Sequence, residues 1–121
     1  MKQHGNIGAR GESLACAALC QRGYVLVERN WRCQLGELDI VARDGDCWVF
    51  VEVKTRRGSR AGLAEEGMTS RKIRRVAELA DAYLMAHNLS AVDWRIDLVA
   101  IALDGRGRTA RVNIIPAINP E

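Results

Sequence analysis

Histidine is scarce in this chain of 121 residues: only His4 and His87 carry an imidazole, and they are isolated from one another. Neither is assigned a role. The four cysteines, Cys16, Cys20, Cys33 and Cys47, form no C-x-x-C pair. Cys16 and Cys20 fall one turn apart on an expected helix with no histidine close by, so all four are read as buried free thiols and a structural zinc is set aside. No apolar run is long enough to span a membrane. The polar, glycine-bearing start has no apolar signal core, and a cytoplasmic location follows by default. Neither a P-loop nor a Rossmann glycine pattern is present, nor an internal repeat or a low-complexity segment. A strong charge of one sign is also missing. The formal net charge of +3 permits nucleic-acid binding without arguing for it, so the distribution of arginines matters more.

What is present is an ordinary globular composition, 48% apolar and 27% charged, in a length that suits one domain with a real core. Residues 1–8 and 117–121 read as mobile tails. A helix is expected over residues 9–22, with Leu14, Ala15, Ala18 and Leu19 as its apolar stripe and Gly23 ending it. A strand follows over 24–33. Residues 36–54 then read as two strands joined at Asp44-Gly45, a hairpin signal because glycine takes positive φ freely. The second strand, from Trp48 to Val53, is apolar on both faces until Glu52, as a strand covered on both sides would be. A polar loop over 55–67 opens with Arg56-Arg57. A second helix over 70–87, capped by Thr69 or Ser70, turns Ile73, Val76, Ala77, Ala80, Tyr83 and Leu84 towards the core. Strands over 94–103 and 109–115, separated by the turn at Asp104-Gly105-Arg106-Gly107, complete an α/β chain.

The chemistry gathers on the hairpin. With Asp44-Gly45 as a two-residue loop, Arg43 pairs with Asp46 and Asp39 lies opposite Phe50. Glu52 is then a diagonal neighbour of Asp39, roughly 7–8 Å away along the backbone. Asp39, Glu52 and Lys54 share one face, a set suited to a divalent metal and a phosphodiester. The bland alternative is a surface ion pair between Glu52 and Lys54. Against it, Glu52 directly follows an apolar run, where an unpaired charge is costly, and Glu37, two residues before Asp39, adds another carboxylate on the same face. Mg²⁺ takes one or two carboxylates, the rest being water and substrate phosphate. Asp39 and Glu52 supply them, and the Val53 carbonyl adds a ligand. Lys54 orients the water or offsets charge on the phosphate. Glu12 is either a partner of the helix dipole or a third carboxylate of the site, and periodicity does not choose between them.

Basic residues flank this set. Arg10, Arg32, Arg56, Arg57, Arg60 and Lys72 are the candidate phosphate contacts. Arg71, Lys72, Arg74 and Arg75 crowd the start of the second helix, the wrong sign for its dipole.

Asp39 followed by Glu52-Val53-Lys54 resembles the D…(D/E)-x-K signature of the restriction-endonuclease-like nucleases. Together with Arg10-Gly11-Glu12, Asn30-Trp31-Arg32, Gly36-Glu37-Leu38-Asp39, Val49-Phe50-Val51-Glu52-Val53-Lys54-Thr55-Arg56, Lys72 and Arg95-Ile96-Asp97, it resembles the YraN family of small bacterial proteins. That family is expected to be nuclease-like and related to archaeal Holliday-junction resolvases. The resemblance implies a restriction-endonuclease-like αβββαβ core, a mixed central sheet flanked by helices. It also implies that Glu12, Asp39, Glu52 and Lys54 form an active site using Mg²⁺ or Mn²⁺ on DNA, in a protein that works as a homodimer. The alternative from another class is a module that keeps the fold and binds nucleic acid or a partner without cutting.

Overall fold

The fold is described from a computed structural model, which covers residues 5–58 and 67–120. Seven elements follow one another: α1 (Gly5–Gln21), β1 (Val25–Cys33), β2 (Gly36–Asp44), β3 (Cys47–Arg57), α2 (Ser70–Ala86), β4 (Trp94–Leu103) and β5 (Thr109–Ile115). The strands form one sheet in the order β1-β2-β3-β4-β5. All neighbours are antiparallel except β3 and β4, which run parallel. A parallel pair needs a crossover, and α2 supplies it. The result is a mixed α/β fold with a five-stranded mixed sheet and two helices.

β3 is the central strand, and the two-sided apolar run predicts this. Val49 and Val51 pack with Ala15, Leu19, Ile40, Ala42, Val99 and Ile101 in a core beneath α1. Phe50 packs with Leu38, Val41, Ile96 and the α2 residues Val76, Leu79, Ala80 and Tyr83 in a second core. α1 sits tightly on the sheet because Gly11 is buried against Thr55, whose hydroxyl occupies the space a Cβ would need. α2 begins at Thr69, whose side chain accepts a hydrogen bond from the Lys72 backbone N–H, satisfying a donor that the helix leaves free.

Several expectations need correction. α1 starts at Gly5 rather than residue 9, so residues 5–8 are helix and not tail; residues 1–4 lie outside the described part. Residues 117–119 are held in place as well. Ala117 N–H donates to Asp97 Oδ1 at 3.0 Å, Ile118 N–H to the Ile96 carbonyl at 2.8 Å, and Asn119 Oδ1 accepts from Ile96 N–H at 2.8 Å. β3 continues through Arg57 because it pairs with β4 to Leu103, so Arg56 and Arg57 are strand residues, not loop. Of the four free cysteines only Cys16 is buried; Cys20 is exposed, and Cys33 and Cys47 are half-buried. Among the described residues no helix is long and apolar enough to cross a membrane.

One buried polar group stands out. Asp97 is fully buried. It accepts hydrogen bonds from the Tyr24 hydroxyl at 2.7 Å, from Arg95 Nε at 2.9 Å and from Ala117 N–H at 3.0 Å. Arg95 also reaches Asp44 at 2.9 Å. A charge at that depth is tolerated only with such partners. The network ties the end of α1, the β2–β3 turn, β4 and the C-terminal segment together.

Candidate active site

The hairpin register decides which carboxylates meet. Asp44 pairs with Cys47, leaving Gly45 and Asp46 as the loop. Gly45 alone takes the positive φ, +62°. Glycine at the first loop position is the arrangement of a type II′ turn, whereas an Asp-Gly loop would have been type I′. The expected pairing of Asp39 with Phe50 is therefore wrong: Phe50 pairs with Val41 and Val51 with Ile40. The observed ladder ends at Ile40↔Val51, and beyond it Asp39 meets β3 through its side chain, which accepts the Val53 N–H.

The pleat is interrupted at this point. Leu38 and Val41 belong to the α2 core while Ile40 and Ala42 belong to the α1 core, so strict alternation fails across Asp39. The neighbouring strand shows the matching irregularity. Asn30 lies between the pairs Arg29↔Ile40 and Trp31↔Leu38 and has a left-handed φ of +54°, a conformation asparagine tolerates better than most residues. The reversal sends Arg29 to Glu12 of α1, 3.6 Å away, and Trp31 onto Tyr83 of α2, with ring centroids 5.2 Å apart.

Asn30 also takes part directly. With its amide oriented to suit its neighbours, Nδ2 donates to Glu37 Oε2 at 2.9 Å and to Glu12 Oε1 at 3.1 Å. Arg32 closes the outer side, 3.6 Å from Glu37. Asp39 lies among these acids. Its Oδ2 accepts the Val53 backbone N–H at 2.9 Å. Burial, then Glu52, raise its pKa from 3.8 to about 7, with Glu12 and Glu37 adding to the rise and the Val53 N–H opposing it. Lys54 Nζ stands 3.3 Å from Glu52 Oε2. Glu12, Asp39, Glu52 and Lys54 thus belong to one neighbourhood. Glu37 and Asn30 belong to it too. The two-residue spacing to Asp39 signals Glu37, whereas Asn30 is signalled only as a neighbour of the recognised motif, since nothing in its spacing identifies a contact across strands.

This donor set suits a hard cation. The groups are oxygens; burial first, and then repulsion from Glu52, Glu12 and Glu37, raise Asp39, and a divalent ion would offset that cost of ionising it. Among the described residues no three acids converge closely enough to hold an ion alone. Asp39, Glu52 and the Val53 carbonyl would therefore leave the remaining positions to water and phosphate.

The basic residues fall into separate places. Arg32 is bound into the acidic network. Arg56 and Lys72 both approach Gly67, Lys72 Nζ donating to its carbonyl at 3.2 Å. Arg57 and Arg10 instead lie against Gly107 in the β4–β5 turn. Arg60 lies outside the described residues. Arg75 donates to the Leu35 carbonyl at 2.7 Å and so braces the β1–β2 turn against α2.

Residues 11–101 match the uncharacterised protein family UPF0102, a span that includes all four candidate catalytic residues. A UPF0102 protein of Roseiflexus castenholzii is 50% identical over 112 residues, covering 91% of this chain and 90% of its own. One of a Nocardioides species is 46% identical over 101 residues, covering 84% and 82%. One of Moorella thermoacetica is 44% identical over 108 residues, covering 89% and 90%. On the extent of these matches, the chain belongs to the family UPF0102 (YraN).

Proposed function

We propose that this protein is a metal-dependent endonuclease of the PD-(D/E)xK type, cutting phosphodiester bonds in DNA, including branched or repair intermediates. The observation that carries the reading is Asp39 among Glu52, Glu12 and Glu37, raised to about 7 first by burial and then by these acids, with Lys54 paired to Glu52. Perturbed carboxylates in a shared neighbourhood are more typical of function than of stability. The element order α-β-β-β-α-β, with the acids on α1, β2 and β3, supports a restriction-endonuclease-like core, and the family membership is consistent with it.

In this mechanism Asp39, Glu52 and the Val53 carbonyl would hold Mg²⁺ or Mn²⁺. When bound, the ion supplies Lewis-acid stabilisation of phosphate charge and acidifies water. Asp39 gives up its proton on entering that role. Its Oδ2 is fixed by the Val53 N–H, which orients the carboxylate that would help hold the ion. Lys54 orients the attacking water and offsets charge building on the phosphate. Glu12, held by Arg29 and Asn30, assists as an outer acceptor. Arg56 and Lys72 hold phosphates on the α2 side. A homodimer would use an edge strand, and β1 exposes Val25 and Val27.

The test is cleavage of labelled four-way junction, flap, single-stranded and duplex DNA with Mg²⁺ or Mn²⁺ against EDTA, with Asp39→Ala and Lys54→Ala as controls. Metal-dependent cutting lost in both variants supports the enzyme, and the preferred substrate names its class. No cutting, together with binding that weakens steeply with salt, supports the non-cutting module instead.

A further inference from the structure

We propose that the β4–β5 turn, with Arg10 and Arg57 packed against it, is a second phosphate-binding surface that grips nucleic-acid backbone away from the cutting site. The inference rests on the nuclease reading for the identity of its ligand.

Four arginines meet at this turn from three elements: Arg10 from α1, Arg57 from the end of β3, and Arg106 and Arg108 from the turn itself. The turn is built to be rigid. Asp104 Oδ1 accepts the N–H groups of Arg106 and Arg108 at 2.8 and 2.9 Å, its Oδ2 accepts Arg108 Nε at 3.0 Å, and backbone bonds link Asp104 to Gly107 and Arg108. Gly107 adopts a φ of +82°, and a Cβ there would lie 3.6 Å from the Arg57 guanidinium carbon and 3.8 Å from Arg10 Nη1. The positive φ is what favours glycine here, and two like charges lie against the same stretch of backbone.

Arg29, Arg32, Arg43, Arg95 and Arg108 each have a carboxylate partner. Among the described residues Arg10, Arg57 and Arg106 have no ion pair, and all three are exposed. The one acid present, Asp104, has its pKa lowered, first by the Arg108 N–H and with Arg57 contributing, so its oxygens are engaged with the turn. Arginines held on a fixed frame with their forks free suit phosphate oxygens.

Position argues for a polymer rather than a small anion. The groups spread over a surface and do not line a cavity. Arg57 is three residues beyond Lys54 on β3, about 10 Å along the strand, which is a few nucleotide steps. Successive residues point to opposite faces, so Arg56 serves the α2 side and Arg57 the α1 side. Backbone leaving the carboxylates towards α1 would meet Arg57, Arg10 and Arg106 in turn. The turn also lies beyond the residues that match the family, 11–101.

The test uses the full chain, a short labelled duplex, EDTA to prevent cutting, and a NaCl series read by fluorescence anisotropy. Arg57→Gln and Arg106→Gln are each expected to weaken binding roughly three- to tenfold and to lower the salt slope by about one phosphate contact. Arg22→Gln, which removes the same charge beyond the far end of α1, should change neither. Unaltered affinity and slope in both turn variants, or an equal loss in Arg22→Gln, overturns the proposal. Because no cutting is involved, a protein that binds through the turn but never cleaves leaves this surface standing and removes the nuclease reading. Cleavage with unaltered binding in the variants does the reverse.

Discussion

Replacing Asp39 with Asn is expected to stabilise the metal-free protein at alkaline pH while abolishing cleavage. Burial and the neighbouring acids raise Asp39 from 3.8 to about 7. A folded state that holds a proton more tightly than the unfolded chain is favoured while that proton is on. The contribution is full below about pH 4 and is lost as pH rises towards about 7. At about 1.4 kcal/mol per unit the shift amounts to about 4 kcal/mol, and solvent reaching a half-buried group reduces it to about 2 kcal/mol. Asparagine keeps an oxygen for the Val53 N–H and never ionises. Urea unfolding in EDTA at about pH 5 and about pH 8.5 gives the comparison. Because pH 5 already lies above the unfolded value of 3.8, the wild type should lose about 1–3 kcal/mol relative to the variant between those conditions. Mg²⁺ at the higher pH should raise the wild-type midpoint and leave the variant's unchanged. A variant less stable by the same amount at both pH values would refute the electrostatic argument.

Lys54→Ala should lower metal-dependent cleavage by about 10²–10³ while Mn²⁺ binding by calorimetry persists, since the carboxylates remain. Gly11→Ala should cost about 1–3 kcal/mol in thermal unfolding, because the new methyl must push against Thr55 and moves α1 and Glu12 off the sheet. Tyr24→Phe should cost about 1–2 kcal/mol and Asp97→Ala about 3–5 kcal/mol in denaturant unfolding, the second more because it strips Arg95 and Ala117 of their shared acceptor. Asn30→Gly should be less destabilising than Asn30→Ala by about 1 kcal/mol, since glycine keeps the left-handed backbone at φ +54°.

The elements were legible because their signals are local. The apolar run of β3, the spacing on α2 and its Thr69 cap each point to the observed structure. The register was not. The choice between Asp44-Gly45 and Gly45-Asp46 as loop turns on which residue takes positive φ, and both readings place glycine in it. The observed register pairs Phe50 with Val41, and Asp39 meets β3 beyond the last pair, through its side chain on the Val53 N–H. Arg56 and Arg57 read as loop because arginine is a poor strand signal; partnership with β4 overrides that. Residues 117–119 read as tail because their order comes from Asp97 and Ile96, twenty residues away. Glu37 is legible from its two-residue spacing to Asp39, but Asn30 is not, because its contacts with Glu37 and Glu12 depend on a backbone reversal that no periodicity announces.

The parallel pairing of β3 with β4 also bears on the order in which the molecule assembles. β1, β2 and β3 are joined by tight turns and close over short loops, whereas β4 must return across the whole length of α2 before it can dock. Loop-closure entropy places that step late. Every acid of the candidate site lies on α1 or the first three strands, so the charged cluster is gathered before the sheet is finished.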